Sequence, residues 1–143
     1  MKRNTLHALG YMILGGALAA LAMRSPAVTA QAKPTPKVTR VLAQPLEGLG
    51  REIRLERVDF APGAESPPHR HPGYVVVYVL EGEVVSSLEN GAEATYKAGS
   101  SFFEPANGLH SVAKNTSGAP ASILAIHVAE KDKPSTVLDS HAH

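Results

Sequence analysis

His69 and His71 stand one residue apart in the stretch HRHPGYVVVYVL, just ahead of a dense β-branched run. Side chains alternate along an extended strand, so both imidazoles face the same way with Cα atoms about 6.6 to 7 Å apart. Two imidazoles at that separation can converge on one ion through metal–nitrogen bonds of about 2.0 to 2.1 Å. The same spacing also occurs on solvent-facing strands that hold nothing, so the pair alone leaves both readings open. The chain contains no cysteine, which excludes disulfides, thiolate metal sites, cysteine nucleophiles and a lipidated N-terminal cysteine.

The elements that must position these rings read as strands. Hydrophobic residues make up 43% of the 143 positions and charged residues 19%, which describes one globular domain. Twelve glycines and eleven prolines against 5% aromatics favour short strands and tight turns over long helices. YVVVYVL is strongly β-prone and apolar on both faces, as expected inside a sandwich or barrel. EVVSSLENGAEATYKAG predicts a hairpin in which Asn90-Gly91 supplies the positive-φ pair of a type I′ turn. SSFFEPANGLHSVAKN predicts two short strands about a turn at Pro105–Gly108, and ASILAIHVAE a last strand. About seven or eight strands at regular turn spacing point to an all-β sandwich or small barrel. Asn115-Thr116-Ser117 matches a glycosylation acceptor.

Lys2 and Arg3 precede an apolar or small-residue run from Ala8 to Met23, and AVTAQA then offers cleavage after Ala30 or Ala32. This is the pattern of a secretory signal peptide over residues 1–30, and it predicts a periplasmic or secreted protein. A retained membrane anchor is the alternative, but the run falls short of the roughly 20 residues that span hydrocarbon. The expected organisation is therefore a leader (1–30), a polar arm (31–39), a barrel (40–129) and a surface-lying tail (130–143). Residues 1–30 hold three basic residues (Lys2, Arg3, Arg24) and no acidic one, so the remainder carries 11 basic against 13 acidic side chains. No basic stripe remains for nucleic acid.

Longer spacing carries more information than the histidine pair. Gly63 lies six before His69, and Gly82 lies eleven after His71; Gly99 lies six before Pro105, and His110 five after it. From Arg40 to Val128 the chain resembles the cupin superfamily of small double-stranded β-helix (jelly-roll) barrels. That superfamily carries the motifs G-x5-H-x-H-x3-4-E-x6-G and G-x5-P-x-G-x2-H-x3-N. The resemblance implies His69, His71 and His110 as metal ligands and a divalent transition metal as cofactor, Fe before Zn, Mn, Ni or Cu. Three departures accompany it. Val75 replaces the motif glutamate, Asn107 the inner glycine, and Lys114 the final asparagine, with Asn115 one residue late. Asn enters positive φ readily, so the turn tolerates it. Loss of the carboxylate leaves a neutral three-histidine set and a more strongly Lewis-acidic ion. Thiol dioxygenases and a diketone-cleaving dioxygenase among the cupins hold ferrous iron in this way.

Several other residues carry a chemical and a plainer reading. His127, on the last strand, would be a proton shuttle or fourth ligand if it faced the cavity, and a packing or surface histidine otherwise. Tyr74 is a candidate acid or base, whereas core packing is the commoner fate of a strand tyrosine. Glu104 would supply a carboxylate from another strand, or be an exposed glutamate beside a turn. His141 and His143 form a second spaced pair at the chain end. The resemblance thus implies a metal-dependent, dioxygenase-like enzyme acting on a small organic molecule, with homodimerisation, and the leader pattern adds export and no stable membrane insertion. A lyase or isomerase, or a non-catalytic periplasmic binder of metal or small ligand, is the alternative.

Overall fold

The computed structural model describes residues 32–140. The expected leader and the pair His141/His143 lie outside the described residues. Within them there is no helix, and the strands are β1 (Lys37–Leu46), β2 (Arg51–Phe60), β3 (Glu65–Ser66), β4 (His69–Arg70), β5 (Tyr74–Glu81), β6 (Glu83–Leu88), β7 (Ala94–Lys97), β8 (Ser101–Glu104), β9 (Leu109–Lys114), β10 (Ala121–Glu130) and β11 (Val137–Leu138). The first sheet has the order β1-β2-β10-β5-β8; the second has β11-β4-β9-β6-β7, with β3 also on β9. Every pairing is antiparallel, and the all-β jelly roll expected from the sequence is what forms.

There are more strands than the turn spacing suggests because proline cuts one into pieces. Pro67 and Pro68 cannot donate to a ladder, so the segment ahead of the histidines breaks into β3 and β4, each two residues long. The third extra strand, β11, comes from the tail. Its residues Val137 and Leu138 pair with Arg70 and His69, so this part of the tail lies along the surface as a docked strand. The barrel's first strand also begins at Lys37, inside the expected arm.

Strand β5 sets the core. Val75, Val77 and Val79 are fully buried and pack with Phe60, Val84, Ile123 and Ala125 between the sheets. Each such valine contributes roughly 1.5 to 3 kcal/mol through burial. Its other face differs from expectation: Tyr74, Val76 and Tyr78 are 43–48% exposed, beside Phe103 of β8 at 53%. At the end of β5 the chain reverses through Gly82 (φ +69°), where an added Cβ would lie 2.6 Å from Pro120 O.

The β6–β7 turn sits one residue earlier than the Asn-Gly signal predicts. Glu89 and Asn90 hold the positive φ values (49° and 55°), and Gly91 N–H donates to Leu88 O at 2.8 Å. A tertiary bond pair overrides local preference there. Glu89 N–H donates to Leu109 O (2.8 Å), and Glu89 Oε1 accepts from Leu109 N–H (2.6 Å).

Asn115 is 1% exposed and consumed by the fold, so it is no glycosylation acceptor in the folded chain. Its Nδ2 donates to Phe60 O (3.3 Å), Ala61 O (3.3 Å) and Ala119 O (2.8 Å), and its Oδ1 accepts from Ser117 N–H (2.9 Å) and Oγ (2.7 Å). Asn115→Ala would strand those buried carbonyls. Urea unfolding is expected to show a loss of about 1 to 3 kcal/mol.

Candidate metal centre

His69 on β4 and His110 on β9 are direct cross-strand partners, so both project from the second sheet toward the interior. His71 follows β4 by one residue. Its loop is fixed by Asn107, which sits at φ +60° where the motif has glycine. Asn107 N–H donates to His71 O (2.7 Å), and Arg70 Nη1 donates to Asn107 O (2.8 Å). Ring centroids lie 4.8 Å (His69–His71), 4.9 Å (His69–His110) and 6.5 Å (His71–His110) apart, with all three rings buried. One nitrogen from each ring lies within 4.8 Å of the others.

The outward nitrogens are all engaged. His69 Nδ1 donates to Pro67 O (2.7 Å) and His71 Nδ1 to Ser135 O (2.6 Å), while His110 Nε2 pairs with Ser86 Oγ (2.9 Å). Such bonds fix ring orientation and, in the neutral rings of His69 and His71, put the unprotonated nitrogen at Nε2, facing inward. Ser135 belongs to the tail, a contribution that no motif in the chain signals. Thr136 and Leu138 of the same segment line the cavity.

Val75, at the motif-glutamate position, lies in a row across the first sheet. Its neighbours are His127 on β10 and Glu104 on β8, with Arg54 of β2 beyond His127. All four side chains project to the same face. Glu104 is therefore buried (3% exposed), not an exposed turn glutamate. Its Oε2 lies 3.1 Å from His71 Nε2 and its Oε1 3.3 Å from His110 Nδ1. The period-two pattern held a clue: once Phe102 packs against the core, Glu104 must follow it inward. His127 also faces inward, 5.1 Å from the His71 ring, with Nε2 3.4 Å from Glu56 Oε2. It is a cavity residue, not a surface one. Tyr74 goes the other way, for the same alternation that buries Val75 turns it outward. There it is 48% exposed and stacks on Phe103 (centroids 5.8 Å), outside the cavity lining.

The histidines open into a cavity of about 210 Å³ whose walls include Val58, Phe60, Val77, Ile123, Ala125 and Leu138. Burial in this apolar space, which disfavours the charged ring, lowers His69 to about 4. Burial alone would raise the Glu104 carboxyl, but the imidazoles of His110 and His71 outweigh it and hold Glu104 at about 2. Burial likewise opposes charge on His71, and the Glu104 carboxylate reverses the sign, so His71 titrates above 6.5. Glu56 is held at about 2, chiefly by His127, with Ser135 and Arg40 assisting against burial. Ser135 Oγ donates to Glu56 Oε1 at 2.8 Å and Arg40 Nη2 to the same oxygen at 3.2 Å.

Residues 56–127 match the family model described as a cupin domain. Germin-like protein subfamily 2 member 2 of Arabidopsis thaliana is 39% identical over 93 residues, covering 61% of this chain and 42% of the plant protein. The chain spans half or less of the length of the curated relatives it matches. A Klebsiella pneumoniae protein with a double-stranded β-helix domain superposes with TM-score 0.61 at 22% identity, covering 77% of this chain and 89% of that one. A recombinant oxalate oxidase in complex with glycolate superposes with TM-score 0.58 at 25% identity, covering 72% and 54%.

The titrations set a pH dependence for the metal-free protein. Glu104 and Glu56 sit at about 2 against an ordinary 4.5, and His69 at about 4 against 6.5. For each the unfolded chain binds more protons, so their stabilisation is complete above the ordinary value and is lost as pH falls. His71 has the opposite sign: its contribution is complete below 6.5 and fades as pH rises through its raised value. Calorimetry in chelator is expected to show the melting temperature falling from pH 6.5 downward, most steeply below 4.5. Glu56→Gln is expected to flatten that lower slope.

Proposed function

The chain belongs to the cupin family, and on that premise we propose that it is an exported, metal-dependent enzyme of dioxygenase-like chemistry acting on a small organic molecule. His69, His71 and His110 would hold the ion. The observation that supports this most directly is the trio of inward imidazole nitrogens with every outward nitrogen already bonded. His110 Nδ1 and Glu104 Oε2 are, besides, buried atoms with no hydrogen-bond partner among the described residues, which suits a site completed by a cation. Imidazole donors suit Fe, Zn, Ni or Cu, and iron fits the dioxygenase reading best. When bound, such an ion supplies Lewis acidity and a point of attachment for dioxygen or a substrate oxygen.

The chain's own residues do the remaining work. The apolar walls exclude water and admit a molecule of modest size, given a cavity of about 210 Å³. His127, held by Glu56, is placed to exchange a proton with a bound molecule. Export is supported by the leader pattern of residues 1–30, and no helix among the described residues is long and apolar enough to cross a membrane. Self-association is supported by the exposed face formed by Tyr74, Val76, Tyr78 and Phe103.

Protein purified without a tag is expected to carry one transition-metal ion per chain by elemental analysis, and the double variant His69→Ala/His71→Ala to carry none. Unchanged metal content in the double variant would refute the ligand assignment. Loaded wild-type protein is expected to consume oxygen with a member of a small-molecule panel; no turnover with any of them favours a binding protein. Intact mass of the exported chain should show loss of residues 1–30, and sedimentation should give a dimer that Tyr78→Lys weakens.

A further inference from the structure

We propose that Glu104 is the fourth protein ligand of the ion, so that the carboxylate missing at position 75 is restored from the neighbouring strand. The inference rests on the metal reading above and adds a ligand to it. Its basis is register. Val75 of β5 and Glu104 of β8 are direct antiparallel partners, and such partners carry their Cβ atoms about 4.5 to 5.5 Å apart on one face. A carboxylate moved from one to the other therefore addresses the same space.

The distances agree with shared coordination. Glu104 Oε2 is 3.1 Å from His71 Nε2, and Glu104 Oε1 is 3.3 Å from His110 Nδ1. Neighbouring donors with bonds of about 2.1 Å lie about 3.0 Å apart in an octahedral shell and about 3.4 Å apart in a tetrahedral one. Neither Glu104 Oε2 nor His110 Nδ1 has a hydrogen-bond partner among the described residues, although both are buried. Without an ion the carboxylate is met only by the charge of the His71 and His110 rings, and an ion held by those rings would take that place.

Charge points the same way. Three neutral imidazoles would leave a full +2 in an apolar cavity. The other carboxylate lining it, Glu56, is already engaged by Arg40, Ser135 and His127. Glu104 halves the buried charge. It also projects from the first sheet while His69 and His110 project from the second, so the ion would join the two sheets.

The test measures affinity for Mn(II), Fe(II) and Zn(II), offered one at a time to the full chain, by calorimetric titration and elemental analysis. Glu104→Gln, isosteric and uncharged, is expected to weaken binding at least about tenfold. A smaller loss overturns the proposal. Glu56→Gln removes the cavity's other charge while keeping an oxygen for Ser135 Oγ, and is expected to cost clearly less affinity than Glu104→Gln; an equal loss would assign the effect to general cavity charge and overturn the proposal. The exchange variant Val75→Glu/Glu104→Val is expected to recover affinity to within about tenfold of wild type. If it folds, by circular dichroism, yet binds no better than Glu104→Gln, the register argument fails. If it does not fold, the Glu104→Gln result decides. Wild-type protein that takes up none of the three ions refutes the metal reading itself, an outcome distinct from an ion bound equally well without Glu104.

Discussion

Desolvation of ionisable groups is the constraint around which this barrel is organised. Four histidines and two carboxylates face an interior lined mostly by valine, alanine and isoleucine. A charge or unpaired donor there costs several kcal/mol. The fold meets this by arranging the groups as mutual partners: Glu104 between His71 and His110, Glu56 beside His127, and the outward nitrogens on Pro67, Ser135 and Ser86. The perturbed titrations of His69, His71, Glu104 and Glu56 are what that arrangement looks like in terms of protons. Strongly shifted groups gathered in one concave space are also what a functional site requires.

The division of labour between the sheets follows from strand periodicity. β5 delivers only valines inward, so polar function at its level falls to its two neighbours, β10 with His127 and β8 with Glu104. The second sheet delivers His69 and His110 as a cross-strand pair, and the loop locked by Asn107 adds His71. Chemistry therefore collects where two antiparallel ladders face each other, and apolar side chains fill the remainder of the cavity. The outer face of β5 carries Tyr74, Val76 and Tyr78, each more than two-fifths exposed, with Tyr74 stacked on Phe103.

What could be read from the amino acids divides along physical lines. Features set by local spacing were legible: the strand-rich class, the histidine pair, and the glycines and proline that put His110 in step with it. Features set by pairing between distant strands were not. Glu104 reads as an ordinary glutamate before a proline until its partner is known to be Val75, and that register is a property of two strands rather than one. Of the two candidates Tyr74 and His127, one faces out and the other in for the same reason, since each faces wherever its strand's alternation sends it. The hairpin turn slid by one residue because a bond pair with Leu109 outweighed the Asn-Gly preference. The tail showed no core-forming pattern because it holds the site through main-chain atoms, and a carbonyl oxygen leaves no mark on side-chain composition.

That last contact ties two distant properties of the molecule together. His71 is oriented by the Ser135 carbonyl, and Ser135 is held in turn by Arg54 and Glu56. Occupancy of the centre and docking of the C-terminal segment are thus thermodynamically linked, and linkage is reciprocal. Whatever firms the imidazole cluster would also firm the segment about Ser135, and whatever pulls that segment away, such as a protease, would loosen the cluster by an equal free energy.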